Sequence, residues 1–117
     1  MKDRYIFKVL TPDQWVTFQA NKVFTGSPVD LADGYIHMSC KAQLKETMDK
    51  WYADETRVFI LEVDSHPIAT DLKYEVSRGG AEFPHLFADL PLSAVGKVWD
   101  VSADVGSYTL PGNLKAN

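Results

Sequence analysis

With 117 residues, 45% of them hydrophobic and 24% charged, the chain is typical of a globular domain with one core and has no room for a second domain. Its net charge of −4, without a dense Lys/Arg block, disfavours binding to duplex nucleic acid, and its longest apolar run, Val58 to Leu61, is too short to cross a membrane. The N-terminus lacks the apolar segment of a secretory signal and the lone Cys40 cannot form an internal disulfide, so we expect a cytoplasmic protein.

The beginning of the chain predicts a strand followed by a helix. Aromatic and branched residues fill Tyr5–Leu10, as is typical of a strand. Thr11 as N-cap, Pro12 at the first helical position and Gln14 three residues after the cap then indicate a helix that ends near Asn21.

The next segments predict a loop and a strand with one chemically reactive face. Thr25–Gly34 is rich in Gly, Pro, Ser and Asp, which favours a loop. If the following residues are extended, alternation places Ile36 and Met38 on an apolar face. The opposite face then carries Tyr35, His37 and Ser39.

A second helix and several strands complete the predicted domain. From Lys41 the apolar period becomes helical, Ser39 is the expected N-cap, and four side chains are expected in the core: Leu44, Met48, Trp51 and Tyr52. The remaining segments predict a buried central strand at Arg57–Val63, a half-exposed strand at Asp71–Val76, a flexible link at Ser77–Ala81, an aromatic segment at Phe83–Phe87 and a last strand at Leu92–Val101. This order predicts a single α+β domain with a mostly antiparallel sheet and two main helices over residues 1–104, and a C-terminal tail over residues 105–117.

His37 and Ser39 are candidates for a functional site. They share the polar face of a predicted strand that leads into a helix, and a helix N-terminus favours negative charge. The alternative is purely structural: Ser39 caps the helix and His37 donates a hydrogen bond to a neighbouring carbonyl.

A second cluster indicates an oxyanion site. It comprises Glu75, Arg78, Gly79, Gly80, Glu82 and His85. Arg78 offers a planar donor for phosphate or carboxylate, and the paired glycines allow backbone N–H groups to approach a ligand. The alternative is a Gly-Gly turn with solvated Arg and Glu side chains beside it.

Metal and nucleophile chemistry receive less support from the sequence. His37, Cys40 and His85 could supply ligands, but HxH, CxxC and HExxH spacings are absent, so we predict no metal site. Cys40 in a first helical turn could be a nucleophile or a small buried apolar group. The glycine motifs of dinucleotide folds and P-loops, and the GxSxG of hydrolases, are also absent.

Three segments resemble a small bacterial family known as domain of unknown function 952. They are Tyr5-Ile-Phe-Lys8, Gly26-Ser-Pro-Val-Asp-Leu-Ala-Asp-Gly-Tyr-Ile-His-Met-Ser39 and Tyr74-Glu-Val-Ser-Arg-Gly-Gly-Ala-Glu-Phe-Pro-His-Leu-Phe-Ala-Asp-Leu-Pro-Leu92. The resemblance covers about residues 4 to 101, and its IHxS and SRGGxxFPHL stretches are its specific motifs. Phe87 stands where the family often has Tyr.

The family resemblance implies a distant similarity to ADP-ribosyltransferase-like proteins, in which two small sheets enclose an NAD cleft. By that similarity, His37 corresponds to the early-strand residue that holds the ribose of NAD, and Glu75 to the late acid. Arg78 and His85 would bind pyrophosphate or the acceptor. The acidic loop that precedes the late acid in those enzymes is not recognisable in this sequence.

The leading hypothesis is therefore a protein that binds a phosphate-containing nucleotide and either transfers ADP-ribose or acts on a phosphorylated RNA end, with catalytic His37 and Glu75. Ser39, Arg78, Gly79, Gly80 and His85 are the expected ligand-binding residues. NAD is expected as a substrate rather than a cofactor, and neither duplex nucleic acid nor a membrane is an expected partner. The alternatives are a non-catalytic module that binds a small anion or a protein, and acid–base hydrolysis by His37 with Glu75 or His85.

Overall fold

The computed structural model describes residues 3–105 and 107–114, with Arg78 described by its backbone alone. The α-helices of this part of the chain are α1 (Pro12–Asn21), α2 (Pro28–Asp33) and α3 (Leu44–Trp51). The strands are β1 (Tyr5–Leu10), β2 (Val23–Phe24), β3 (Ile36–His37), β4 (Arg57–Asp64), β5 (Leu72–Val76), β6 (Glu82–Leu86), β7 (Leu90–Pro91) and β8 (Val95–Ser102). Short 3₁₀ segments are formed by Lys41–Gln43, His66–Asp71, Arg78–Gly80 and Leu92–Ala94.

The strands form antiparallel sheets, which confirms the predicted α+β class. The two three-stranded sheets have the orders β1-β4-β8 and β3-β6-β5, and β2 pairs with β7. The buried run in β4 lies in the centre of its sheet, as its continuous apolar sequence predicts. An isolated bridge between Phe7 and Ser39 joins the edge strand β1 to the segment that follows β3.

Helix α1 confirms its sequence signals, whereas α2 contradicts the prediction of a loop over Thr25–Gly34. In α1, Gln14 N–H donates to Thr11 Oγ1 and the Gln14 side chain accepts from Thr11 N–H, which is a capping box. Helix α2 begins with the same arrangement of Ser27 and Asp30. The high content of Gly, Pro, Ser and Asp favoured a loop, but the segment contains a six-residue helix. Ser27 as N-cap and Pro28 at the first helical position are the signals that predict it.

Two expectations for the second main helix are wrong. A 3₁₀ turn precedes α3, and Ser39 does not cap it, because the Ser39 Oγ lies 3.2 Å from Thr47 Oγ1. Leu44 and Met48 are fully buried as expected, but Trp51 is 58% exposed. Trp51 occupies the last turn of α3 and lines a surface cleft, whereas the next residue, Tyr52, packs against the core.

Two apolar clusters cover opposite faces of the β1-β4-β8 sheet, as the alternation along β4 requires. Leu61 and Val63 contribute to one cluster, and Val58 and Ile60 to the other. The second cluster also contains two residues of the predicted C-terminal tail, Tyr108 and Leu114, which are 1% and 6% exposed. Residues 107–114 therefore pack against the domain rather than extending from it.

Two smaller differences concern the ends of strands. The last strand begins at Val95 instead of Leu92, because a 3₁₀ turn occupies Leu92–Ala94. The expected link after β5 contains a 3₁₀ turn in which the backbone N–H of Gly80 donates to the Ser77 carbonyl.

None of the helices described above has the length and apolar character that crossing a membrane requires.

Candidate functional site

The candidate site is a cleft of about 500 Å³ where β1 of one three-stranded sheet approaches β3 and β6 of the other. Helices α1, α2 and α3 supply the rest of its wall. The volume lies within the range of pockets that hold small molecules and cofactors. Three of the residues singled out from the sequence line the cleft: His37, Ser39 and His85.

His37 projects into the cleft with a carboxylate at each ring nitrogen. Nδ1 lies 2.6 Å from Asp30 Oδ1, and Nε2 lies 2.9 Å from Asp33 Oδ2. An ionised carboxylate only accepts hydrogen bonds, so the ring donates its Nδ1–H to Asp30. This contact fixes the orientation of His37, with Nε2 facing the Asp33 carboxylate.

A buried ion pair between Lys8 and Asp30 holds His37 in position. Lys8 Nζ lies 3.1 Å from Asp30 Oδ2 and donates to the His37 carbonyl at 2.7 Å. The two side chains are 5% and 3% exposed. Asp30 also accepts from the backbone N–H groups of Ser27 and His37, so α2, β1 and β3 meet at one carboxylate.

The electrostatics of this pair follow from its burial and its contacts. Burial alone would raise the pKa of Asp30, but the hydrogen bond from the His37 ring and the charge of Lys8 outweigh it and hold that pKa well below its usual range. Burial lowers the pKa of Lys8, and the Asp30 charge partly opposes this effect. Asp30 is therefore ionised at neutral pH, and it fixes the orientation of His37.

His85 forms a second histidine–carboxylate pair with Glu75. Its Nδ1 lies 2.8 Å from Glu75 Oε1, so the Nδ1–H donates and a neutral ring carries its lone pair on Nε2. Among the described residues, Nε2 of His85 has no hydrogen-bond partner. Within the part of the chain that the structure describes, the fully buried side-chain oxygen or nitrogen without a hydrogen-bond partner is Oε2 of Glu62. Nε2 of His85 also lacks a partner but is not fully buried, so it is open to the cleft that the ring lines.

The two histidines lie side by side because β3 pairs with β6. His37 and His85 are register partners, and their ring centroids are 5.7 Å apart. Tyr35 stacks on His85 at 4.0 Å between centroids and approaches the His37 ring at 4.7 Å. Burial and the charges of nearby carboxylates raise the pKa of Tyr35, so its phenol stays protonated. A donor, a base and an aromatic ring thus converge at one point of the cleft.

The remaining predicted site residues occupy different positions. Ser39 is 4% exposed, and its backbone pairs with Phe7, so it contributes to the cleft wall from a fixed position. Glu75 lies outside the cleft lining and contacts His85, which is part of it. Gly79 and Gly80 also lie outside the lining, in a turn with φ of 77° and 82°, and the side chain of Arg78 is outside the described residues.

Comparison with known proteins assigns the family. The model of a protein family of unknown function, DUF952, matches residues 9–98. The chain belongs to the DUF952 family. No curated protein matches it.

The similar solved structures are those of CC0527 from Caulobacter crescentus. Its crystal structure is 42% identical to this DUF952 chain, covers 90% of it and 93% of its own length, and superposes with a TM-score of 0.85. Its solution NMR structure is 40% identical over 91% of each chain, with a TM-score of 0.79. These structures share the α+β fold of this protein.

Sequence reasoning missed several residues of this DUF952 site. Lys8 was part of an apolar strand, Asp30 and Asp33 were part of a loop, and Trp51 was assigned to the core. The Ser27-Pro28 pair followed by Asp30 was the available signal, because it repeats the pattern that correctly predicted α1. Nothing in the sequence spacing indicates that Lys8 and Asp30 would meet.

Within the described ranges, no group of three His, Cys, Asp or Glu side chains has the geometry to hold a metal ion. Cys40 is a free, half-buried thiol. The polar chemistry of the cleft thus rests on the two histidine–carboxylate pairs.

Proposed function

We propose that this DUF952 protein binds a phosphate-containing nucleotide of the NAD class in the cleft and transfers its ADP-ribose group. The observation that carries the proposal is the pairing of His37 and His85 in one cleft, each oriented by its own carboxylate. A histidine oriented by a carboxylate is a typical general base, and a second one beside it can hold the substrate in place.

The position of the cleft supports the proposed class of ligand. The cleft lies where two small antiparallel sheets approach each other, which is the arrangement expected from the resemblance to ADP-ribosyltransferase-like proteins. Its lining combines aromatic side chains, such as Tyr35 and Trp51, with a few polar groups. Aromatic rings suit the flat bases of a nucleotide, and the polar groups suit its ribose hydroxyls.

The proposed reaction uses His85 as a general base. Nε2 of His85 takes the proton of an acceptor hydroxyl or of water, and the freed oxygen forms a bond to C1′ of the ribose that carries nicotinamide. The C1′–N bond breaks, and its electron pair leaves with nicotinamide, which becomes neutral and needs no proton. Glu75 then stabilises the imidazolium of His85 across their 2.8 Å contact.

The proposal gives His37 a binding role and changes the role of Glu75. As a donor held by Asp30, His37 binds an oxygen of the nucleotide rather than a proton. The sequence resemblance placed Glu75 against the developing ribosyl cation, whereas its contact with His85 supports a positioning and charge-stabilising role.

Calorimetric titration with NAD and with ADP-ribose tests the binding step. We expect saturable binding at millimolar concentrations or below to the wild type, and binding at least about tenfold weaker to His37→Gln, because the variant loses the oriented imidazole donor. His66→Gln is the matched control, since His66 is exposed, lies outside the cleft lining and contacts Asp64. Thermal unfolding of each variant verifies that it is folded.

The outcomes separate the proposed enzyme from its alternatives. Failure of both ligands to bind the wild type at millimolar concentration contradicts the proposal. Binding without release of nicotinamide from NAD supports a non-catalytic nucleotide-binding module instead.

A further inference from the structure

We propose that Nε2 of His37 is the point at which one oxyanion of the ligand, a phosphate or carboxylate group, binds, and that Asp33 occupies this point in the ligand-free protein. The inference rests on the proposed function for the nucleotide, but the oxyanion site can be tested without it. It places the anion site at His37 on β3, which is one of the two positions that the sequence indicated, and not at the glycine turn.

The first argument is chemical. The Asp33 carboxylate already makes the contact that a ligand oxyanion would make, at 2.9 Å from His37 Nε2. A carboxylate oxygen and a phosphate oxygen are equivalent acceptors for an imidazole N–H. The position at Nε2 is therefore one that a ligand oxyanion can take in place of Asp33.

The second argument is the contrast between the two carboxylates on His37. Asp30 is 3% exposed and is held by Lys8 and by two backbone N–H groups as well as by the His37 ring. Asp33 is 48% exposed, and among the described residues its side chain makes this single polar contact. Asp33 can therefore leave while Asp30 stays.

The place of Asp33 in its helix supports an exchangeable contact. Asp33 is the last residue of α2, where a negative charge is unfavourable with respect to the helix dipole, so it does not stabilise the helix. Gly34 follows with φ of 86°, and a side chain added there would meet no atom within 4 Å. The contact with His37 is thus the interaction that explains the orientation of Asp33. Rotation of this half-exposed side chain is enough to release it, because the backbone of the helix end stays hydrogen-bonded to the Asp30 carbonyl.

The charges around the cleft limit the site to one oxyanion. When Asp33 leaves, the His37 ring keeps Asp30 on Nδ1 and offers Nε2–H to the ligand. The Lys8 ammonium remains neutralised by Asp30, and Glu55 adds a negative charge to the cleft wall. A second phosphate at this point would meet those carboxylates without a counter-charge.

The test compares two variants that each remove one negative charge from the cleft. Asp33→Asn removes the proposed competitor, and Glu55→Gln removes a lining carboxylate for which no contact with His37 is recorded. The probes are inorganic phosphate and ADP-ribose, and NMR of the His37 side chain reports binding. We expect Asp33→Asn to tighten binding of both probes by about fivefold, because the ligand no longer has to displace an exposed ion pair. Glu55→Gln should tighten binding by less than about twofold.

Each outcome is decisive for one of the two proposals. Equal gains in the two variants indicate a general charge effect and overturn the inference, even if ADP-ribose binds. If ADP-ribose binds to no variant, the proposed function fails, and the response of His37 to phosphate alone decides whether the oxyanion site exists. The inference is also overturned if phosphate binds Asp33→Asn more tightly than the wild type but does not shift the His37 signals.

Discussion

The two histidine–carboxylate pairs of the cleft differ in which partner is buried, the carboxylate or the histidine. In the Asp30–His37 pair the carboxylate is 3% exposed and the histidine 33%. In the Glu75–His85 pair the histidine is 4% exposed and the carboxylate 46%. Asp30 contacts the buried Lys8 and joins α2, β1 and β3. The side-chain contact of Glu75 among the described residues is with His85.

This difference separates a pair that stabilises the fold from the pair to which we assign the proposed chemistry. Asp30 neutralises Lys8 and anchors α2, so it contributes to folding as well as to the site. Glu75 can be changed with little effect on the core, so its effect should be seen in the chemistry of His85. Four substitutions or changes of condition test this contrast.

The largest effect is expected from Asp30→Asn. This change leaves the ammonium of Lys8 buried without a counter-charge, so we expect the free energy of unfolding to fall by about 3–5 kcal/mol in urea denaturation. The double variant Lys8→Met/Asp30→Asn removes both charges and should recover most of that loss. A single variant within about 1 kcal/mol of the wild type would show that the pair is not structural.

Acid should act in the same direction as the substitution. The pKa of Asp30 is lower in the folded chain than in the unfolded chain, so the unfolded chain binds more protons as the pH falls. Its contribution to stability is complete above about pH 4 and is lost progressively below it. The double variant should lack this part of the pH dependence; identical acid denaturation curves for the two proteins would contradict the assignment.

His85→Gln should reduce chemistry more than binding. Without Nε2 as a base, we expect release of nicotinamide from NAD to slow by about a hundredfold, while ADP-ribose affinity changes far less. Steady-state kinetics and calorimetry separate the two effects. Turnover equal to that of the His66→Gln control would exclude His85 as the base.

The smallest effect on stability is expected from Glu75→Gln. Because this carboxylate is 46% exposed, the free energy of unfolding should change by less than about 1 kcal/mol. Turnover should fall with ADP-ribose affinity unchanged, because Glu75 contacts the proposed base His85 and not the cleft lining. A weaker affinity for ADP-ribose in this variant would indicate a direct contact with the ligand instead.

The local elements could be predicted because their signals lie within a few residues. The capping box of Thr11 and Gln14 identifies α1, and the apolar run in β4 identifies the central strand. Helix α2 carries the same capping signal, but the weight given to Gly, Pro and Ser in Thr25–Gly34 concealed it. Residue composition was a poorer guide there than cap spacing.

The site itself depends on contacts that local sequence does not encode. His37 and His85 were both candidates, but their pairing is set by the register between β3 and β6. The Lys8–Asp30 pair joins residues that were assigned to a strand and a loop. Tyr108 shows the same limit, because a polar C-terminal sequence concealed a side chain that is 1% exposed.

The most direct test of the central claim is a ¹H–¹⁵N NMR spectrum of the histidine side chains recorded with and without NAD. The chain has three histidines, and His66, outside the cleft, is an internal reference. Without ligand, the Nδ1–H signals of His37 and His85 should report their hydrogen bonds to Asp30 and Glu75. NAD should shift His37 and His85 and leave His66 unchanged; unaltered signals of His37 and His85 at millimolar NAD would contradict the claim that this cleft binds the nucleotide.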